Sequence, residues 1–278
     1  MKKFLALMLA MLMALSLVAC GGGDNAADDN NANNGGDDAA MTKLVLGTSA
    51  DYAPFEFMYP DESGEMVYGG IDVSVAQYIA DEMGVELQVE NMGFDYLLTS
   101  LDKGDFDIVL AAMEATPDRL ENADFSDPYY TDVPPAILVK ADKADQYKTL
   151  ADFNGKSIGA QTATTKLDMV NEMEGVNPVA LQSVLDLVNE LVYDKVDAIL
   201  VDGGVAKQYA EANPDLVIAD ASAELGEPAP VAVQKGDPKG LLPAINAAIA
   251  KMNEANMLET FIADADSLAD VAVEVSAN

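Results

Sequence analysis

Two hydrophobic periods alternate along most of the chain. Lys43 to Thr48 reads as a strand, and Val73, Ala76, Ala80 and Met83 then recur at helical spacing until Gly84 ends that helix. Val85 to Val89 predicts a second strand, Tyr96 to Leu101 a short helix, and Phe106 to Ala111 a third strand. After Tyr129-Tyr130 a second set begins with a strand at Ser157 to Ala160 and a helix from about Thr164. An amphipathic helix carrying Val184, Leu187, Val188 and Leu191 follows, then a strand at Ala198 to Val201 and a helix from about Gly204 to Ala212. Leu241, Ala244, Ile245, Ala248, Ile249 and Met252 mark a last amphipathic helix. Such alternation predicts an α/β fold with largely parallel sheets. Pro-bearing breaks at Thr131 to Pro135 and Gly226 to Pro230 imply that the chain starts in one lobe, builds a second and returns. The expected layout is lobe one at 41–131 plus 233–278, lobe two at 135–228, and hinges at about 131–135 and 226–232. A cleft between two α/β lobes is a natural small-molecule site.

The first forty residues break this pattern. Lys2 and Lys3 precede an apolar run, Phe4 to Ala19, that has the form of an export signal. It closes on Leu17-Val18-Ala19-Cys20, which resembles the lipobox of bacterial lipoproteins, and Cys20 is the chain's single cysteine. That resemblance implies cleavage before Cys20 and a lipid on its sulfur, hence anchoring on the extracytoplasmic face of the membrane, on a Gram-positive surface or in a periplasm. Residues 21–40 contain only Gly, Asn, Asp and Ala and read as a flexible acidic tether. The expected body is a soluble globule, a monomer, on that leash.

Composition narrows the chemistry. The chain of 278 residues carries a formal net charge of −33, which argues against a nucleic-acid partner. It has no His and one Cys, which removes most zinc sites, Ser-His-Asp and Cys-His catalysis and any disulfide framework. No cofactor or metal is expected; the acid-rich stretches lack the spacing of a calcium loop. Fourteen of the fifteen cations are Lys, and the one Arg is Arg119. Arg presents a planar fork that holds a carboxylate bidentately, which Lys cannot do.

The neighbourhood of Arg119 sharpens this. In Thr116-Pro117-Asp118-Arg119, Thr116 is a good N-cap, Pro117 suits the first helical position, and Arg119 falls in the first turn. The helix dipole disfavours a cation there, so Arg119 makes sense facing an anion. Asp202, after Ile199-Leu200-Val201 and before two glycines, is either a ligand group or a helix cap. Gln161 to Thr165 is either a cap or an anion-binding turn, and lacks the pattern of a P-loop. Tyr52 and Phe94 follow strands and could sandwich a ligand, whereas Phe55 and Phe57 default to core packing.

The ordered set of segments is similar to a known family. Asp51-Tyr52-Ala53-Pro54-Phe55-Glu56-Phe57, Gly70-Ile71-Asp72-Val73, Phe94-Asp95-Tyr96-Leu97-Leu98, Gly104-Asp105-Phe106-Asp107-Ile108 and Thr116-Pro117-Asp118-Arg119 come in turn. Asp124-Phe125-Ser126-Asp127-Pro128-Tyr129-Tyr130 and Val196-Asp197-Ala198-Ile199-Leu200-Val201-Asp202 follow. Over about residues 42–262 the chain resembles the extracellular solute-binding proteins of polar amino-acid ABC importers, bacterial family 3. The resemblance implies a two-lobed periplasmic-binding-protein fold (Venus-flytrap, type II), each lobe a mixed, mostly parallel sheet flanked by helices. It implies capture of an amino acid and its delivery to an ABC permease, with no catalysis. Arg119 would hold the ligand α-carboxylate, aided by backbone N–H groups near Glu114 and Thr165. Asp202 and the carbonyl of Ala112 would hold the α-ammonium, with Tyr52 and Phe94 flanking the side chain and Gln161 reading it.

Three positions depart from the family pattern. Glu114 stands where Ser or Thr is common, Ser49 where an acid is common, and Ala163 where Gly is common before Thr164-Thr165. An unpaired buried Glu114 would favour a cationic or amine-bearing ligand. The alternative is that Glu114 points to solvent or pairs with a Lys. Two rival functions share the fold class: a dehydratase-like enzyme using Glu114 as general acid, and a lipoprotein that presents ligand to a separate sensor.

Overall fold

The computed structural model describes residues 41–276 apart from 132–133, 223–225 and 227. The leader, Cys20, the tether and parts of both expected hinges lie outside the described residues. The chain begins with β1 (Lys43–Thr48), β2 (Asp51–Tyr52), β3 (Glu56–Pro60), β4 (Met66–Gly69), α1 (Ile71–Met83), β5 (Glu86–Asn91), α2 (Leu97–Lys103), β6 (Ile108–Val109), α3 (Pro117–Asn122) and β7 (Ala123–Thr131). It continues with β8 (Ala136–Lys140), β9 (Ser157–Gln161), α4 (Thr165–Glu172), β10 (Asn177–Leu181), α5 (Val184–Val192), β11 (Ala198–Val201), α6 (Gly203–Ala212) and β12 (Leu216–Ser222). It closes with β13 (Pro228–Gln234), α7 (Leu242–Glu254) and α8 (Met257–Ser276).

These strands form two five-stranded mixed sheets, in the orders β5-β1-β6-β13-β7 and β10-β9-β11-β8-β12, beside a three-stranded antiparallel sheet β2-β3-β4. In the first, β1 runs parallel to β5 and β6, and β13 returns antiparallel between β6 and β7. In the second, β9 runs parallel to β10 and β11, and β8 is antiparallel to β11 and β12. The connections are paired at both ends, with Thr131 beside Pro228 on one sheet and Ala136 beside Ser222 on the other. The fold is thus a two-lobed α/β one, as expected, but the sheets are not mostly parallel: β13 and β8 each return antiparallel to both neighbours, so half the pairings in each five-stranded sheet are antiparallel.

Both faces of each five-stranded sheet are covered, which is why inner strands such as β8 and β11 carry near-continuous apolar runs. In β1, Leu44 and Leu46 are fully buried on one face while Val45 packs into the cluster around Leu97, Leu101 and Val109 on the other. Burying each such side chain is worth about 1.5–3 kcal/mol. The buried face of α1 is Ile71, Val75, Ala76, Ile79 and Ala80, so the expected stripe is rotated: Val73 and Met83 are only half-buried. The helix starts at Gly70, whose φ of 118° and approach to the Phe55 carbonyl leave no room for a side chain. That tight start lets the Phe55 carbonyl accept from Asp72 N–H at 2.9 Å, pinning α1 to the turn before β3.

Candidate functional site

The carboxyl ends of β1, β6, β9 and β11 point toward one cavity of about 10 Å³, room for roughly one water. Ser49, Tyr52, Glu56, Phe94, Ala111, Ala112, Glu114, Gln161, Thr164, Lys166 and Asp202 line it. Eight of the ten expected site residues are in this set; Arg119 and Thr165 reach it through Glu114.

Arg119 comes from the first lobe. Thr116 caps α3 by accepting from Arg119 N–H at 3.3 Å, with Pro117 at the first helical position. The Arg119 guanidinium donates to the Glu114 carbonyl at 2.9 Å, to Glu114 Oε2 at 2.7 Å and, across the cleft, to the Ala163 carbonyl at 3.1 Å. Its Cζ lies 5.3 Å from the Phe94 ring centre, so Phe94 stacks on the guanidinium.

Glu114 is neither unpaired nor facing solvent. Its Oε1 accepts from Thr165 Oγ1 at 2.9 Å and is in contact with Lys166 Nζ. Burial opposes its charge, but Lys166 and Arg119 together hold its carboxyl down at about 2. The expectation that this Glu demands a cationic ligand therefore loses its physical basis; the alternative of a Lys partner is what the structure contains.

Asp202 stands at the carboxyl end of β11, preceding α6, and its side chain does not cap that helix. It accepts from Tyr52 Oη at 2.6 Å and pairs with Lys166 Nζ at 2.5 Å, while its own N–H donates to Tyr52 Oη at 3.1 Å. Tyr52 thereby joins the lobes instead of lying free as a flanking wall. Burial and repulsion from Glu114 outweigh Lys166 and raise Asp202 above its ordinary range. The two carboxylates share one ammonium, yet shift oppositely, because Glu114 has Arg119 as a second cation and Asp202 does not.

Gln161 donates to the Gln182 carbonyl at 2.9 Å, and Thr164 caps α4 by accepting from Leu167 N–H at 3.2 Å. The turn is therefore a cap, and its first-turn hydroxyl, Thr165, faces an anion. Ala163 has φ of 63°, the left-handed region that favours Gly, which explains why its Cβ is a departure with a cost. Ser49 donates to Asp51 Oδ1 at 3.4 Å, and Asp51 Oδ2 accepts from Val184 N–H at 2.9 Å, a further bond between lobes.

The floor holds residues that sequence reasoning left without roles. Ala112 has φ of 46°, and its N–H donates to Asp72 Oδ2 at 2.7 Å; Asp72 Oδ1 accepts from Tyr129 Oη at 2.7 Å. Asp72 is fully buried, which pushes its carboxyl up to about 6 against those two hydrogen bonds. Beside it Glu56 is 1 % exposed, and burial, then the neighbouring Asp72, push it well above the usual carboxylate range. Among the described residues its Oε2 has no hydrogen-bond partner. Asp72 is a positioning residue for the Ala112 backbone. The missed cation is Lys166, with a side chain 6 % exposed, held charged by Asp202 and Glu114 against burial. A signal existed: like Arg119, it is a cation in the first turn of a helix.

Comparisons with known proteins agree with this architecture. Residues 44–263 match the model for bacterial extracellular solute-binding proteins, family 3. The arginine-binding extracellular protein ArtP of Bacillus subtilis is 35% identical over 230 residues, covering 81% of this chain and 83% of that protein. A probable histidine-binding protein of Campylobacter jejuni is 31% identical over 267 residues, 94% of this chain and 98% of its own. An amino acid ABC transporter substrate-binding protein of Streptococcus pneumoniae, solved bound to L-arginine, superposes with a TM-score of 0.78 at 33% identity, over 82% of this chain and 96% of its own. With a two-lobed fold and a polar cleft between the lobes, the chain belongs to the bacterial extracellular solute-binding proteins of family 3.

Proposed function

We propose that the chain captures an amino acid between its lobes and delivers it to an ABC permease, with Arg119 as the carboxylate clamp and Asp202 as the ammonium partner. The observation that carries this is convergence: Arg119 of one lobe reaches Ala163 of the other, and Asp202 of the second reaches Tyr52 of the first, around one cavity. Phe94, Ser49 and Gln161 form the walls, Tyr52 ties Asp202 across the cleft, Ala112 forms the floor, and Thr164 and Thr165 the helix start facing the carboxylate. A cationic amino acid, arginine first, is the proposed solute. Its support is the names of relatives, arginine and histidine.

The rival enzymatic role for Glu114 finds no support, since a carboxyl held at about 2 has no proton to donate at neutral pH. The layout proposed for the whole chain keeps lobe one at 41–131 plus 233–278, lobe two at 135–228 and connections near 131–135 and 226–232. Ahead of these stand the signal peptide 1–20, lipidation of Cys20 and the tether 21–40, giving a monomer on the extracytoplasmic membrane face. Radiolabelled palmitate incorporated by wild type and lost in Cys20→Ala checks the anchor. Calorimetry and thermal shift with arginine, lysine, ornithine, histidine, glutamine and glutamate check the solute. A selective rise in melting temperature with arginine or another cationic amino acid is expected. A rise with glutamate alone overturns the cationic assignment, and no rise with any of them overturns amino-acid capture.

A further inference from the structure

The cleft holds both halves of an amino acid's polar signature, supplied by the chain itself. The Glu114 carboxylate lies on the Arg119 guanidinium at 2.7 Å, and the Lys166 ammonium lies on Asp202 at 2.5 Å. The same ammonium touches Glu114, so a carboxylate and an ammonium sit side by side between the two clamp residues. The remaining space, about 10 Å³, holds no amino acid beside them. Lys166 extends from the first turn of α4, where its own helix end repels a cation; the two carboxylates are what retain it.

We propose that Glu114 and Lys166 form a built-in surrogate of the solute's zwitterion, and that Lys166 holds down both the affinity and the preference for an α-ammonium. The surrogate draws the lobes together, because Lys166 and Thr165 belong to the second lobe and Glu114 to the first. A solute binds by exchange: its α-ammonium replaces Lys166 on Asp202, and its α-carboxylate replaces Glu114 on Arg119. The Lys166 and Glu114 groups freed in this way stay paired with each other, so no charge is left alone. The exchange half rests on the clamp proposed above; the contact between lobes does not.

Lys166→Met keeps the stem and removes the charge, leaving Glu114 and Asp202 to repel each other until a solute ammonium arrives. Without added solute, small-angle X-ray scattering is expected to give a larger radius of gyration than wild type, and the melting temperature is expected to fall. In calorimetry, arginine is expected to bind about tenfold tighter or more, while 5-guanidinopentanoate, which lacks the α-ammonium, gains little. If Lys166→Met fails to fold, Glu114→Gln/Lys166→Met, which removes one charge of each sign, is held to the larger radius, the lower melting temperature and the tighter arginine binding; because it also frees Arg119, 5-guanidinopentanoate is expected to gain as well. Unchanged radius and melting temperature overturn the surrogate, and weaker arginine binding overturns the exchange by making Lys166 a direct solute contact. If wild type binds no amino acid, the clamp reading fails, and the scattering arm still decides the contact between lobes.

Discussion

Two helix starts face each other across the cleft, and they differ in what their cation does. On α3, Arg119 follows Thr116 and Pro117 and grips acceptors from both lobes. On α4, Lys166 follows Thr164 and Thr165 and is itself gripped, by Glu114 and Asp202. Geometry separates the roles: a guanidinium offers fixed parallel donors that can exchange one carboxylate for another, whereas an ammonium is a point charge that another ammonium replaces. The same dipole argument applies to both. A cation at a helix start stands out at Arg119, the chain's one Arg, and is lost at Lys166 among fourteen Lys.

The strongest way to break this contrast is Arg119→Lys, which turns the gripping side into a point charge. Amino-acid affinity is expected to fall about 100-fold or more by calorimetry, with the circular-dichroism spectrum unchanged. An unchanged affinity would remove the clamp. A second test concerns the buried acids of the floor, where Asp72 holds the Ala112 backbone. Asp72 at about 6 and Glu56 well above its ordinary range are raised relative to the unfolded chain, where carboxylates titrate near 4. Above the unfolded value the folded state binds protons that the unfolded state does not, so this contribution is fully present below about pH 4; the Asp72 share is lost as pH rises through about 6, and the Glu56 share is also lost on raising pH. Glu114, lowered to about 2, has the opposite sign: its contribution is present above about pH 4.5 and is lost only towards pH 2. Stability is therefore expected to peak near pH 5 and to fall towards pH 8, with Asp72 alone worth about 3 kcal/mol at most. The acidic body shifts stability the same way, so Glu56→Gln is the control: melting temperatures across pH should flatten in that variant, and an unaltered slope would exonerate the pair. The smallest effect belongs to the turn before α4. Ala163→Gly relieves a left-handed φ of 63° and is expected to stabilise by up to about 1 kcal/mol in urea denaturation.

Legibility followed the type of force involved. Strands such as β1 and β11 are written as apolar runs, and caps such as Thr116 and Thr164 as local chemistry, so both were readable. β10 and β13 were not, because Pro178, Pro228 and Pro230 argue against strands; β13 accommodates Pro230 at a register shift between β6 and β7. The face of α1 was misread because Ala76 and Ala80 fit two stripes, and the stripe actually buried contains a carboxylate, Asp72, that no hydrophobic pattern can announce. Glu56 was hidden likewise: it lies between two buried Phe residues and is itself covered. At the site, residue types were legible, and the pairings among them were not, since Glu114 and Lys166 lie 52 positions apart in the chain.

The internal pairing has a kinetic consequence. Arg119, Lys166, Glu114 and Asp202 cancel within the cleft, whereas residues 41–278 carry 43 acidic and 13 basic side chains. Long-range attraction for a cation is thus a property of the outer surface, and discrimination is a property of the neutral interior. Salt screens the first over about 8–10 Å and hardly reaches the second. For a cationic solute, added salt slows arrival and leaves departure nearly untouched, so a cell in dilute surroundings gains speed of capture without tightening its hold on what it must hand on.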